Sequence, residues 1–514
     1  MSKPSSTSFE KDSPDISNHE DEDPVVRIPV WTGIALRLAL FFYTDASSFF
    51  KHRVETSTPV TSWKRFQEGL HLFQHGLPPY DGGVYHQAPL LLAVFNFLPP
   101  ILIPFLFVAL DYWIARGLVE IASYKRKTLQ EEVWPEPTLK PTLLAPPPLE
   151  EESDEEETET PNQETAGLNR DAHTEQIKEA PKGDTLIPPW LVDDPATLLP
   201  KKRPKATKKT PSQPQDVTRP VDALLQAEDI GSIYLLNPFS VMTCLAQSTL
   251  LFTILAVIHG LRFAIRGNRS LSMLCIAIAA YLSLYPAMMI APAVLILARN
   301  SHVGISKEMR TSLPLFIGYA VALLGLSYLL IGSWQFLEST YGVILFVPDL
   351  TPNIGLFWYF FIEMFDQFRT FFLCVFQILV FIFVVPVSMV FKNHPLFVAF
   401  LLTAIMAIFK SYPSLGDTAL YLTFLSMNRE LFKYMRHSFL VFSALFFASV
   451  LGPLFYYLWL YAGSGNANFF YAITLVFALA QVILITDTGF AMARREWDRL
   501  NPDLRTKRVE LIHR

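Results

Sequence analysis

The chain has 514 residues, of which 51% are hydrophobic and only 17% charged, and its mean hydropathy is +0.29. Soluble domains carry about 25% charged residues, so this composition excludes an ordinary soluble protein and predicts a membrane protein with polar segments. The net charge of −5 says little about partners, because the acidic residues are concentrated in one segment. Nothing in this balance predicts a nucleic-acid partner.

The N-terminal part of the chain predicts a polar tail followed by a membrane domain. Residues 1–27 are rich in acidic residues and serine, and we expect a disordered cytosolic tail. The tail lacks the basic stretch and small-residue cleavage site of a signal peptide, so the first apolar run is predicted to remain as a helix. The first membrane part covers residues 28–124 and includes a lumenal loop at 45–87.

This loop ends in HGLPPYDGGVYHQAPLLL, directly before a long apolar run. It brings Tyr80, Asp81 and His86 to the membrane edge together with turn-forming prolines and glycines. Backbone turns at membrane depth are tolerated where protein or a water-filled cavity satisfies their free polar groups. We therefore expect this turn to line a polar cavity.

Residues 125–222 interrupt the membrane pattern. They contain the acidic run EEESDEEETETPNQET and, after a proline-rich stretch, the basic run KKRPKATKKTPSQPQ. Such a segment has too little apolar surface to offset the entropy of ordering it. We predict a disordered cytosolic insert, then a second membrane part at 223–495 and a cytosolic tail at 496–514.

The loops of the membrane parts alternate between two kinds. One kind is basic, as in SYKRK and ARREWDR, and the other is poor in Lys and Arg but rich in Tyr, Pro, Gly and Asn, as in YAGSGNANFFY. The positive-inside rule places the basic kind in the cytosol, and counting the alternations predicts about twelve transmembrane helices. The loop at 45–87 fits less well because it contains Lys51, Arg53, Lys64 and Arg65.

Prolines interrupt several apolar runs, at Pro238, Pro286 and Pro413. A helix broken within the membrane needs a polar cavity beside it, and these breaks all fall on the face that we predict to be lumenal. Polar residues at the breaks are therefore expected to join Tyr80, Asp81 and His86 in one pocket that binds lipid or glycan. These further residues are Asn237, Tyr285, Tyr412 and Asp417.

The run GLFWYFFIEMFDQFRTFFLCVF, at residues 355–376, is unusually rich in phenylalanine. One interpretation is an amphipathic helix at the membrane interface with an internal pair between Asp366 and Arg369. The other is an aromatic wall for acyl chains, with Tyr359 and Glu363 facing the polar head of a lipid, since carboxylates in apolar surroundings are often functional. The sequence leaves both interpretations open.

Motifs that carry chemistry are scarce. The sequence has no Gly-rich phosphate loop, no HExxH and no GxSxG, and its three cysteines form no CxxC, so we predict no metal, no cofactor and no catalytic residue. Asp45 follows the first helix, where membrane glycosyltransferases place a pair of carboxylates, but its nearest acidic neighbour in the chain on that side is Glu55. A lone carboxylate there favours a helix cap or a solvated charge.

Several stretches together resemble the PIG-U family, the multi-spanning subunit of the glycosylphosphatidylinositol (GPI) transamidase. They occur in the family's order from about residue 36 to 497: SWKRFQEGLHLFQHGLPPYDGGVYHQAPLL, YLLNPFSVMTCLAQST, YLSLYPAMMIAPAVL, PNIGLFWYFFIEMFDQFRTFFLCVFQ, IFKSYPSLGDTALYL and YAGSGNANFFYAITL. The N-terminal tail and the insert depart from the family pattern.

The resemblance implies a multi-pass protein of the endoplasmic reticulum membrane that makes no bond itself. It implies an all-α membrane bundle similar to the membrane domains of GT-C glycosyltransferases. In this family the caspase-like subunit PIG-K carries the chemistry, PIG-T, PIG-S and GPAA1-type subunits accompany it, and PIG-U helps to recognise and position the GPI lipid. The alternatives are an active GT-C mannosyltransferase of GPI biosynthesis and a purely structural scaffold.

Overall fold

A computed structural model describes residues 29–134 and 223–502. The predicted tail at 1–27, nearly all of the predicted insert and the last residues of the C-terminal tail lie outside these described residues. Within them every regular element is helical, which confirms the all-α prediction.

Ten helices precede the long helix in the middle of the chain. They are α1 (Val30–Tyr43), α2 (Ala46–Phe50), α3 (Trp63–Gln74), α4 (Pro89–Asn96), α5 (Ile103–Gln130), α6 (Ala227–Leu236), α7 (Pro238–Leu245), α8 (Leu250–Ile265), α9 (Arg269–Ser283) and α10 (Ile290–Ser301).

The remaining described α-helices are α11 (Ile305–Ile331), α12 (Gln335–Leu337), α13 (Val343–Phe346), α14 (Phe357–Ile362), α15 (Asp366–Ile382), α16 (Val384–Val390), α17 (Pro395–Phe409), α18 (Leu415–Ser426), α19 (Ser438–Leu460) and α20 (Ala467–Leu500). Helix α5 continues past residue 124 and α20 past residue 495, the predicted ends of the two membrane parts.

Five helical stretches in the described part are long and apolar enough to cross a membrane. Four shorter apolar helices accompany them: α1, α8, α9 and α17. The number of about twelve crossings and the likeness to GT-C domains both stay predictions. The long stretches are Pro100–Gln130, Ile305–Ile331, Asp366–Val390, Ser438–Leu460 and Ala467–Leu500.

The predicted proline breaks explain why several helices are short. Pro238 is the first residue of α7, directly after α6 ends, and Pro413 lies in the turn between α17 and α18. Between α9 and α10, Leu284 has a φ of 60° and a short 3₁₀ turn follows it. A non-glycine residue rarely adopts such an angle, so the surrounding structure must hold the backbone in this conformation.

The core and the lipid-facing surface fall on different helices. Helix α17 is apolar all round, and every residue from Pro395 to Ile408 is buried, as expected for a helix in the centre of a bundle. Helices α11 and α15 expose large apolar side chains over most of their length, among them Leu329 and Phe371. A membrane explains these exposed surfaces, because lipid tails cover them.

A buried ion pair connects the first helices. Arg37 of α1 and Asp111 of α5 are both fully buried, with 2.7 Å between Nε and Oδ2. The hydroxyl of Tyr234 donates to the other carboxylate oxygen at 2.8 Å, and Arg37 also donates to Ser240 Oγ at 2.9 Å. Gly33 allows this approach, because a Cβ there would lie 2.6 Å from the Cβ of Leu235.

Candidate functional site: an apolar cavity and a polar cluster

An apolar cavity of about 190 Å³ opens among α2, α7, α19 and α20. Its walls are mainly aromatic and aliphatic side chains, and small residues of α19 leave the space that the cavity occupies. The principal wall residues are Phe50, Met242, Ala448, Gly452, Phe470 and Phe477. The chemistry of this lining suits a hydrocarbon chain, which gains about 0.8 kcal/mol for each CH₂ group that it buries.

One part of the wall of this cavity is charged. Arg53 and Glu55 both line it, and they form a two-pronged ion pair with distances of 2.7 and 3.0 Å. The guanidinium also lies over the rings of Phe49 and Tyr456, 5.5 and 5.4 Å from their centroids. The cavity is therefore apolar along most of its length and charged at one side.

A second feature of the predicted loop at 45–87 is a polar cluster centred on Arg65, which lies in α3. Arg65 pairs with Asp349 at 2.6 Å, and both side chains are partly exposed. Thr351 donates to Asp349, and the Tyr412 hydroxyl donates to the Asp349 backbone carbonyl at 2.9 Å. Burial raises the pKa of the Asp349 carboxyl, but bonds from Thr351 and the charge of Arg65 outweigh this and hold it below its ordinary value.

His86 lies at the edge of this Arg65 cluster. Its Nδ1 is 2.9 Å from the backbone carbonyl oxygen of Ser339. Burial lowers the pKa of His86 below its ordinary value, the Ser339 carbonyl opposes that change, and the nearby Arg65 lowers the pKa further. Because a carbonyl oxygen only accepts, Nδ1 of His86 is the donor in the contact with Ser339.

Tyr285 extends the cluster on the core side. Its hydroxyl lies 2.7 Å from Ser411 Oγ, donates to Gln377 at 2.9 Å and accepts from the Ser411 backbone N–H at 3.2 Å. Since Ser411 is next to Tyr412, the turn after α17 connects Tyr285 to the Arg65 cluster. Three of the sequence-predicted residues, His86, Tyr285 and Tyr412, are thus brought together.

The other predicted residues have local partners. Tyr80 is buried and donates to the Gln87 carbonyl at 2.8 Å, whereas Asp81 is exposed and accepts from Gln335 at 3.0 Å. Asn237 caps the first turn of α7. None of these three lines the apolar cavity, and their predicted contact with a ligand stays a prediction.

Asp417 lies deeper than the others. It is buried, forms an ion pair with Lys410 at 2.6 Å and accepts from the Ser414 backbone N–H at 3.0 Å. The last bond completes a capping box at the start of α18. Asp417 therefore neutralises a buried cation and caps the start of α18, and both of these roles are structural.

The phenylalanine-rich run forms two helices, α14 and α15, instead of one. Tyr359 donates to Asn468, and Glu363 is exposed at the end of α14. The Asp366–Arg369 pair of the amphipathic-helix interpretation does not form: Arg369 donates to the carbonyl of Val347 at 2.7 Å. The backbone turn before Asp366 places Arg369 beside α13.

The sequence profile described as "GPI transamidase subunit PIG-U" matches residues 31–477. The chain belongs to the PIG-U family. The human GPI-anchor transamidase component PIGU is 33% identical over 482 residues, which cover 92% of this chain and 94% of that protein. The GPI transamidase component GAB1 of Saccharomyces cerevisiae is 31% identical over 490 residues, or 93% of this chain and 97% of that protein.

Homologues in other species carry equivalent names. The GAB1 homologue of Schizosaccharomyces pombe is 30% identical over 458 residues, which cover 88% of this chain and 90% of that protein. These matches confirm the family resemblance read from the sequence, and these relatives are named as components of the GPI transamidase.

Sequence reasoning missed the charged residues of the apolar cavity and of the Arg65 cluster. Arg53 and Arg65 were noted as exceptions to the loop-charge rule, and Asp349 was not noted at all. A signal was available for the two arginines, because they lie in a loop on the face that is otherwise poor in cations. Partners such as Asp349 could not be assigned, since Arg65 and Asp349 are far apart in the chain and only the fold brings them together.

Two possible sites of chemistry have simple surroundings. Asp45 is exposed and its side chain makes no hydrogen bond to the described residues. Elsewhere Glu132, His394 and Glu496 lie close enough to hold a metal ion. Arg495 and Arg499 already pair with both of these carboxylates, so the local charge disfavours a further cation.

Proposed function

We propose that this chain is a non-catalytic subunit of the GPI transamidase that binds the GPI lipid and positions it for attachment to precursor proteins. Its place is the endoplasmic reticulum membrane, in a complex with PIG-K, PIG-T, PIG-S and GPAA1-type subunits. The names of its relatives support membership of the complex. The role in lipid binding rests on the site itself.

The observation that carries the proposal is the apolar cavity with a charged side. A GPI lipid combines acyl chains with a phosphate and a glycan. The apolar wall offers contacts to a chain, and Arg53 offers a guanidinium, which suits phosphate geometry. The Arg65 cluster, on α3 shortly after Arg53 in the chain, adds Tyr and His groups that can pair with hydroxyls.

The alternatives have different consequences. An active mannosyltransferase would need Asp45, so the variant Asp45→Ala would accumulate an under-mannosylated GPI precursor. A purely structural scaffold would tolerate any change in the cavity that preserves assembly. In the proposed function Asp45→Ala leaves GPI attachment intact, and filling the cavity does not.

Filling the cavity is the direct test of the proposal. Ala448→Phe puts an aromatic ring into the space, and we expect GPI retained by the purified complex to fall at least about tenfold, because excluding two CH₂ groups already costs about that much. The matched control is Ala444→Phe, one turn earlier on α19 and outside the cavity lining. Retained GPI is measured by mass spectrometry per assembled complex.

Ala448→Val provides a graded version that leaves most of the space open and should give a smaller loss. If Ala448→Phe and Ala444→Phe retain the same amount of GPI as the unmodified complex, the cavity does not hold the lipid. The readout per assembled complex separates lost binding from lost folding.

The Arg65 cluster gives a second prediction. Arg65→Gln removes a partly exposed ion pair, so its effect on stability should stay near or below about 1 kcal/mol. Loss of the phosphate or glycan contact should reduce GPI retention by roughly fivefold. Lys64→Gln is the matched control, since it makes the same charge change at the neighbouring exposed position. Equal retention in the two variants would remove Arg65 from the binding site.

A further inference from the structure

A second and larger cavity, of about 690 Å³, lies where the basic loops meet. We name it the basic cavity. Helix α20 lines both cavities, the apolar one through Phe477 and the basic one through Arg495. Between these residues the helix rises about 27 Å at 1.5 Å per residue, close to the thickness of the hydrocarbon core. The two cavities are therefore separated by about the thickness of the hydrocarbon core, and the positive-inside rule predicts that they lie near opposite faces of the membrane.

Five cations and three carboxylates line the basic cavity. Most of these charges neutralise one another. Lys125 pairs with the buried Glu430 at 2.7 Å, and Glu132 pairs with Arg495 and, at 3.3 Å, with Arg499. The surplus positive charge must then come from the remaining cations of the lining.

Those remaining cations are Arg299 at the end of α10 and Lys392 before α17. Both are exposed, and neither forms an ion pair with any residue that the structure describes. They are also neighbours, since Arg299 donates to the carbonyl of Asn393 at 3.4 Å. Two adjacent cations without counter-charges at the rim of a concave site create a potential that attracts an anion.

Three buried polar atoms of the lining lack a hydrogen-bond partner among the described residues, and one of them, Nε2 of His394, lies 3.1 Å from the Glu496 carboxylate. The other two are the donor Nε of Arg495, whose side chain is 1% exposed, and the acceptor Oε2 of Glu430, whose side chain is also 1% exposed. Buried polar groups are almost always bonded, so this pair of atoms indicates a ligand. The ligand must offer both an acceptor and a donor, as a phosphate linked to a hydroxylated headgroup does.

The surroundings of the cavity identify the source of such a group. Leu295, Ile305 and Leu396 form an apolar part of the lining. Directly before Lys392, Met389 and Val390 are 69% and 71% exposed on the outward side of α16. The acyl chains of a lipid fit on this surface while its headgroup occupies the cavity. A soluble phosphate compound has no such chains to place there.

We infer that the basic cavity binds the phosphate-bearing, hydroxylated headgroup of an anionic phospholipid from the adjacent leaflet. Arg299 and Lys392 hold the phosphate, Arg495 Nε donates to one of its oxygens, and Glu430 Oε2 accepts from a hydroxyl. This site is separate from the GPI site of the proposed function, because about the thickness of the hydrocarbon core separates the two cavities.

The test uses the assembled complex in phosphatidylcholine nanodiscs that contain a photoactivatable phosphatidylinositol as the probe. The double variant Arg299→Gln with Lys392→Gln should reduce probe cross-linked to this chain by about tenfold, since charge-assisted bonds are the strong ones. The control is Lys307→Gln with Arg310→Gln, which removes two exposed cations of α11 that do not line the cavity. It should change cross-linking less than about twofold.

Each outcome decides the inference. Selective loss in the cavity variant, with no displacement of the probe by inorganic phosphate, supports the lipid site. Equal loss in the two double variants overturns it, because general surface charge then explains the binding. Displacement by inorganic phosphate overturns the lipid source. Equal capture of a photoactivatable phosphatidylcholine overturns the charge recognition, and cross-linking of the cavity to another subunit shows a protein occupant instead.

Discussion

Replacing Asp111 by alanine is expected to lower the free energy of unfolding by about 3–5 kcal/mol. The change leaves Arg37 charged, without a carboxylate partner and fully buried between α1 and α5. It also removes the acceptor of the Tyr234 hydroxyl. A loss of this size is a large part of the stability of a domain, so most of the protein should fail to assemble.

The control for Asp111→Ala is an exposed ion pair at the C-terminal end of the same helix, α5. Lys127 and Glu131 form an exposed ion pair at 4.0 Å, and their side chains are 74% and 61% exposed. Glu131→Ala should change stability by about 0.5 kcal/mol or less. Thermal unfolding in detergent measures both variants, and an Asp111→Ala protein as stable as Glu131→Ala would contradict the described network.

The variant Asp417→Ala is expected to have an effect of similar size, about 3–5 kcal/mol. Asp417 and Lys410 are only 3% and 5% exposed, so the variant leaves a buried ammonium group without its counter-charge. The capping box at the start of α18 is lost as well. We expect assembly to fall, while the GPI retained per assembled complex stays unchanged.

This result would separate a structural role from the ligand contact predicted for Asp417 from the sequence. The double variant Lys410→Met with Asp417→Leu replaces the pair by apolar side chains and should recover much of the stability. If Asp417→Ala instead assembles normally and loses GPI, the residue belongs to the binding site.

The sequence predicts the helical elements of this fold well, because their signals are local. Apolar runs give the helices, and prolines such as Pro238 and Pro413 give their ends. The pairing of charges is not local. Arg37 stands in the apolar run of α1 as a conspicuous cation, but its partner Asp111 is identified only when α1 and α5 pack together.

The position of the apolar cavity shows a second limit of sequence reasoning. One interpretation of residues 355–376 is an aromatic wall for acyl chains. In the fold Phe357 and Phe361 pack on Phe376, and Phe371 points outward. The cavity lies instead where α19 carries small residues, and missing volume has no sequence pattern of its own because it depends on how helices pack.

The most direct measurement is to place a photo-crosslinking amino acid at Ser449 or Thr474, which both line the apolar cavity, and to identify the lipid captured in the assembled complex. The control position is Ala444, which lies on α19 together with Ser449. The account predicts that the two cavity positions capture GPI and that Ala444 captures bulk phospholipid. Capture of bulk phospholipid alone at all three positions would contradict the claim that this subunit binds the GPI lipid.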